Sequence, residues 1–191
     1  MYGGSFDPVH LSHIGLAHAA LGYGLSRVIL VPCRIAPHKD HLPAEAHHRW
    51  AMLEAAFAGE PGIELSSFEL ESEEISYTHK TVEHLQSLHP GKRLTLILGY
   101  DQFLTLEEWK LFSDWGRTID YLVFPRDGQA AEIPPGLVDL NITFATEDLP
   151  HISSSLIREE IQAGHSLEKL LPPAVALYIA DHKLYQNGNQ P

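Results

Sequence analysis

Gly3-Gly4-Ser5-Phe6-Asp7-Pro8-Val9-His10-Leu11-Ser12-His13 opens the chain and combines the residue types that bind and neutralise an anion. Two adjacent glycines allow a tight turn and a close approach of backbone to ligand, with no Cβ in the way. Asp7-Pro8 then redirects the chain. Apolar residues at Leu11, Ile14, Ala17, Ala20 and Leu21 fall at helical spacing, so a helix is predicted to begin near His10 to Ser12. Its first turn presents free N–H groups and the positive end of the helix dipole, which suits a phosphate. His10 and His13 lie three apart on one face of that turn, so both rings can face one anion. A glycine turn before a helix is common; the histidine pair is what makes this one specific.

A second stretch with the same chemistry is Ile152-Ser153-Ser154-Ser155-Leu156-Ile157-Arg158. Three hydroxyls lead into a predicted helix, so side chains and free N–H groups can jointly cradle phosphate oxygens. Arg158, on the first helical turn, offers a fork of donors to the same oxygens. On its own this stretch reads first as an N-cap serine with a solvated arginine, and only its pairing with the first stretch turns the reading to phosphate.

The first stretch resembles the opening signature of the nucleotidyltransferase superfamily of adenylyl- and cytidylyltransferases. The usual ending is His-x-Gly-His, and Ser12 departs from it. The second resembles the closing signature of the same superfamily, with Ser155 where threonine is usual. Between them stand Ala36-Pro37-His38-Lys39, Ser76-Tyr77-Thr78-x-x-Thr81, Gly99-Tyr100-Asp101, Trp109 and Pro125-Arg126. With these the chain is similar to the bacterial nicotinate-nucleotide adenylyltransferases from Tyr2 to about Tyr185.

That resemblance implies adenylyl transfer from ATP to nicotinate mononucleotide in NAD synthesis, with Mg²⁺ bridging phosphates. It implies ATP contacts from Gly3, Gly4, Ser5, Phe6, His10, His13, Ser153, Ser154, Ser155 and Arg158, with His10, His13 and Arg158 catalytic and one or both histidines protonated. Mononucleotide contacts are implied from Lys39, Thr78, Asp101, Trp109 and Arg126. Each also has an ordinary reading: Trp109 as a helix aromatic docked on the core, Asp101 as a cap, Lys39 and Arg126 as solvated cations. Other phosphate acceptors (nicotinamide mononucleotide, phosphopantetheine), a non-catalytic nucleotide-binding module and a histidine-based metal carrier stay open as rivals. Against the last, the adjacent His47 and His48 are predicted to point apart on a helix and to be solvated.

The elements that must position these residues read as an α/β chain. Strands are predicted at Arg27–Pro32, Ile63–Leu70, Leu94–Gly99, Tyr121–Pro125 and Ile142–Phe144. They alternate with helices at Pro43–Ala58 and Thr78–Leu88, and helices at Ser154–Ala163, Leu167–Leu171 and Ala174–Asp181 follow. Alternation of this kind implies a doubly wound, Rossmann-like parallel sheet with a helical C-terminal segment, whose ligands bind beyond the C-terminal strand ends. One domain over residues 1–185 and a flexible tail over 186–191 are expected. Only Met1 and Tyr2 precede the glycine turn, where a central strand should end, which suggests a missing N-terminal extension.

The balance of 13 Lys and Arg against 25 Asp and Glu gives a net charge of −12. This argues against a nucleic-acid partner and requires any anionic ligand to be held by a local field. A single cysteine excludes an internal disulfide, and no apolar run is long enough to span a bilayer, so no membrane partner and a cytoplasmic location are expected.

Overall fold

A computed structural model describes residues 1–35, 43–125, 132–147 and 149–186. Six strands, β1 (Tyr2–Gly4), β2 (Val28–Pro32), β3 (Ile63–Leu65), β4 (Thr95–Gly99), β5 (Asp120–Phe124) and β6 (Ile142–Phe144), form one sheet in the order β3-β2-β1-β4-β5-β6. Every pairing is parallel. The order reverses between β1 and β4, which places the topological switch point, and so the ligand crevice, beyond Gly4 and Gly99.

Alternate residues of the apolar strand runs face opposite sides of the sheet, and each side has its own core. Val28, Leu30, Ile97, Leu122 and Phe124 join Ala17 and Ala20 of α1 (Leu11–Gly22) and Met52, Leu53 and Phe57 of α2 (Ala46–Phe57). The same core holds Ile157 of α7 (Ser154–Ala163) and Val175 and Ile179 of α8 (Pro173–Asp181). Ile29, Val31, Leu96, Leu98, Tyr121 and Val123 pack on the other side with Val82 and Leu85 of α4 (Thr78–Leu88). That side also takes Tyr100 and Phe103 of α5 (Tyr100–Leu104) and Phe112 and Trp115 of α6 (Phe112–Trp115). A strand buried on both faces must be apolar at consecutive positions, which is why these runs lack alternation.

The short first strand is real. Tyr2, Gly3 and Gly4 pair with Leu30, Val31 and Pro32, Tyr2 also pairs with Ile97, and Ile97 N donates to Met1 O at 2.9 Å. Three expectations are corrected. The strand predicted through Leu70 stops at Leu65, and Phe68–Glu71 forms the short helix α3. Residues 167–171 form turns rather than a helix, and α2 starts at Ala46 rather than Pro43. Of the predicted tail, residues 187–191 lie outside the described residues. No helix among the described residues is long and apolar enough to cross a membrane.

Candidate active site

The turn after β1 is shaped by what its glycines leave out. A Cβ on Gly4 would stand 3.1 Å from the Phe6 ring, whereas one on Gly3 would meet nothing within 4 Å. Gly4 therefore lets Phe6 fold beneath the turn, at a left-handed φ of 48° and 1% exposure. Its ring lies edge-on to Tyr2 and to His13, with centroids 5.5 and 5.0 Å apart. The Phe6 side chain is thus a buried support for His13, which leaves its main chain for the ligand contact that the resemblance implies.

His10 is the N-cap of α1, and the two histidines form a reciprocal capping box. His13 N donates to His10 Nδ1 at 3.4 Å, and His10 N donates to His13 Nδ1 at 3.3 Å. The rings stack with centroids 3.6 Å apart. A ring nitrogen that accepts a main-chain N–H leaves Nε2 as the ring's position for a donor.

The late serine–arginine stretch docks on this turn. Ser153 caps α7 by accepting from Leu156 N at 3.2 Å. Ser154 Oγ donates to Pro8 O at 3.0 Å. Arg158 donates from Nη1 to Asp7 O at 2.8 Å and from Nη2 to Ser155 Oγ at 3.2 Å, with Nη1 also 3.5 Å from the Asp7 carboxylate. Ser12, where a bare backbone was expected to matter, ties the two stretches together. Its hydroxyl donates to Pro150 O and accepts from Ile152 N at 3.2 Å. The N-termini of α1 and α7 thus converge beside the crevice, and the positive ends of two helix dipoles add there despite the acidic chain.

Beneath the turn lie residues that the sequence did not single out. Asp7, 1% exposed, accepts from Ala44 N at 3.0 Å and from the Tyr185 hydroxyl at 2.8 Å. Burial, then the Asp7 carboxylate, pushes the Tyr185 hydroxyl well above its ordinary range, so it stays a donor. Arg49, also 1% exposed, donates to Ala44 O, Ser5 O, Cys33 O and Arg34 O. A signal for Arg49 existed: it shares the apolar face of α2 with Met52, Leu53 and Phe57, where a cation needs a buried purpose.

Across the sheet, Gly99 ends β4 and Asp101 lies exposed in the first turn of α5, inside the helix rather than capping it. Thr78 opens α4, whose N-cap residue Tyr77 makes no side-chain capping bond. Trp109 closes a 3-10 turn (Leu106–Glu108) instead of riding on an α-helix. It is half-buried, 6.4 Å from the Trp115 ring. The next residue, Lys110, sets its Nζ 4.1 Å from the centroid of the Tyr77 ring, which draws the Trp109 segment to the start of α4. Lys39, Arg126, His38 and His41 lie outside the described residues, although β2 and β5 both end at the crevice edge.

Residues 1–160 match the cytidylyltransferase-like family model. A probable nicotinate-nucleotide adenylyltransferase of Geobacillus thermodenitrificans is 35% identical over 188 residues, covering 97% of this chain and 84% of that protein. One from Bordetella pertussis is 36% identical over 193 residues, covering 97% and 96%. The chain belongs to the cytidylyltransferase-like family, among its nicotinate-nucleotide adenylyltransferases.

Solved structures agree on the fold of this adenylyltransferase family. Plasmodium falciparum nicotinic acid mononucleotide adenylyltransferase complexed with NaAD superposes with a TM-score of 0.78 at 24% identity, covering 96% of this chain and 95% of that one. The same protein complexed with APC gives 0.76 at 22% identity. For an adenylyltransferase of this family, one placement differs from expectation away from the crevice. The His47 and His48 rings do not point apart; their centroids are 4.0 Å from each other, and His48 Nδ1 is 3.0 Å from the Tyr178 hydroxyl.

Proposed function

We propose that this chain transfers the adenylyl group of ATP to nicotinate mononucleotide, giving nicotinate adenine dinucleotide and pyrophosphate for NAD biosynthesis. A phosphate oxygen of the mononucleotide attacks the α-phosphorus of ATP in line. The bond from that phosphorus to the bridging oxygen breaks, and pyrophosphate leaves with the electron pair. The nucleophile is already anionic, so no general base is needed, and catalysis rests on positioning and on stabilising charge in the transition state. The observation that supports this reading is the docking of Ser154 and Arg158 onto Pro8 and Asp7, which brings the starts of α1 and α7 together.

In this reading Gly3, Gly4, Ser5 and the main chain of Phe6 approach the triphosphate. His10 and His13 donate from Nε2 to its oxygens, and Ser153, Ser154, Ser155 and Arg158 hold the leaving pyrophosphate. The mononucleotide lies toward Thr78, Trp109 and Asp101, with Lys39 and Arg126 as cations for its phosphate. Mg²⁺ belongs to the substrate side, entering on the triphosphate and keeping most of its waters. The single Cys33 is suited to a cytoplasmic enzyme.

The test is pyrophosphate release with Mg·ATP and a panel of acceptors. Nicotinate mononucleotide is expected to turn over with the highest kcat/KM, ahead of nicotinamide mononucleotide and phosphopantetheine. Nucleotide binding without pyrophosphate release from any acceptor would refute the assignment.

A further inference from the structure

The start of α4, which the proposed function gives to the acceptor, is held by a buried carboxylate of the chain. Glu69 in α3 is 9% exposed and Thr81 is fully buried. Thr81 Oγ1 donates to Glu69 Oε1 at 2.5 Å, and the Ser76 hydroxyl also bonds the Glu69 carboxyl. Ser76 Oγ in turn accepts from Arg34 N at 3.0 Å, Ser76 N donates to Ile35 O at 3.1 Å, and Arg34 Nη1 donates to Leu70 O at 3.2 Å. These bonds run from the end of β2, through the segment before α4, to its first turn. Glu69 stands in the middle.

A buried carboxylate is a costly way to fill space, since an apolar residue of similar size would pack there without desolvation. The cost is visible: burial raises the Glu69 pKa, and the Thr81 and Ser76 bonds oppose that rise. A second unusual feature lies in the same turn. His79 is 8% exposed, and its Nδ1 has no hydrogen-bond partner among the described residues. A buried carboxylate bonded to Thr81 of α4 and an unpartnered ring nitrogen at His79 are local costs of the kind expected where a surface is shaped for a ligand.

We propose that Glu69 is a positioning residue for acceptor specificity. By fixing Ser76 and Thr81 on either side of Thr78, it holds the uncapped N–H groups of α4 and the Thr78 hydroxyl where they receive the carboxylate of an acidic pyridine nucleotide. Glu69 itself does not touch the substrate. The proposal rests on the α4 start being the acceptor subsite.

Steady-state kinetics of Glu69→Ala, Glu69→Gln, Thr81→Val and Thr81→Ser test it, with nicotinate and nicotinamide mononucleotides as acceptors. Glu69→Ala and Thr81→Val should each raise KM for nicotinate mononucleotide about tenfold. KM for ATP and kcat should stay near wild type, and the preference for the acid over the amide should shrink. Thr81→Ser, which keeps the hydroxyl, should restore wild-type behaviour, and the double variant should be no worse than Glu69→Ala alone. Should Glu69→Ala fail to fold, the near-isosteric Thr81→Val carries the test. A parallel rise in KM for ATP, or a Thr81→Ser variant as impaired as Thr81→Val, overturns the positioning role. A wild-type enzyme indifferent between acid and amide overturns instead the acceptor reading on which it rests.

Discussion

Arg158 Nη1 donates at 2.8 Å to the main-chain oxygen of Asp7, 151 residues earlier, and lies 3.5 Å from the Asp7 carboxylate. A conserving view of Arg158 as a free phosphate-gripping cation is therefore incomplete: its guanidinium also locks the late stretch to the glycine turn. Asp7→Ala removes the acceptor for Ala44 N and Tyr185 and leaves a partly buried cation uncompensated. Unfolding free energy is expected to fall by about 3–5 kcal/mol, with Asp7→Asn intermediate because it keeps an acceptor. Urea denaturation of the three proteins measures this.

His13 gives a kinetic prediction. His13→Ala removes a donor from the helix start, while α1 keeps His10 as its N-cap. If His13 acts on charge that develops in the transition state, kcat falls by about 10²–10³ while KM for ATP changes little. His10→Ala should add a stability loss of about 1 kcal/mol, because His10 is the cap. An unchanged kcat in His13→Ala removes that residue from the chemistry.

Ser12 bridges Pro150 O and Ile152 N, immediately before the Ser153 cap. Ser12→Gly restores the superfamily's usual residue yet breaks both bonds. Stability should drop by about 1 kcal/mol, and KM for ATP should rise several-fold as the α7 start loosens against α1. Thermal melts and ATP titrations report the two effects separately, and an Ser12→Gly enzyme with unchanged KM shows that the other docking bonds suffice.

A pH effect follows from His48. Burial, then the neighbouring His47 and His182, lowers its pKa below the ordinary histidine value, and Glu45 opposes this. The folded state thus binds the proton less firmly than the unfolded chain. Stability is complete above the unfolded pKa and declines as pH falls through it toward the lower folded value. Between about pH 8 and pH 5 the Tm of the wild type should fall more steeply than that of His48→Gln, whose amide can still bond Tyr178. Parallel Tm profiles exclude the contribution.

Much of the architecture was legible because it is governed by local pattern. Runs such as Val28–Pro32 and Thr95–Gly99 are apolar at every turn of the period-2 alternation, which only a strand covered on both faces tolerates. The glycine turn and the serine-rich helix start were legible for the same reason: their chemistry lies within a few consecutive residues. Ile63–Leu70 misled because its alternation is only partial: the Ser66-Ser67 pair breaks it, so pairing with β2 ends at Leu65 and Phe68–Glu71 turns helical.

Residue types and spacing were enough to read an α/β chain and to single out the stretches that hold His10, His13 and Arg158 as suited to an anion. Tertiary contact alone decided how those residues are held: Asp7 under Arg158, Ser12 bridging to Pro150, Arg49 gathering four carbonyls, Lys110 beside Tyr77. The physical reason is range. Helix starts and strand runs are set by neighbours one or two turns away, whereas a buried polar group takes its meaning from partners that folding brings from anywhere in the chain.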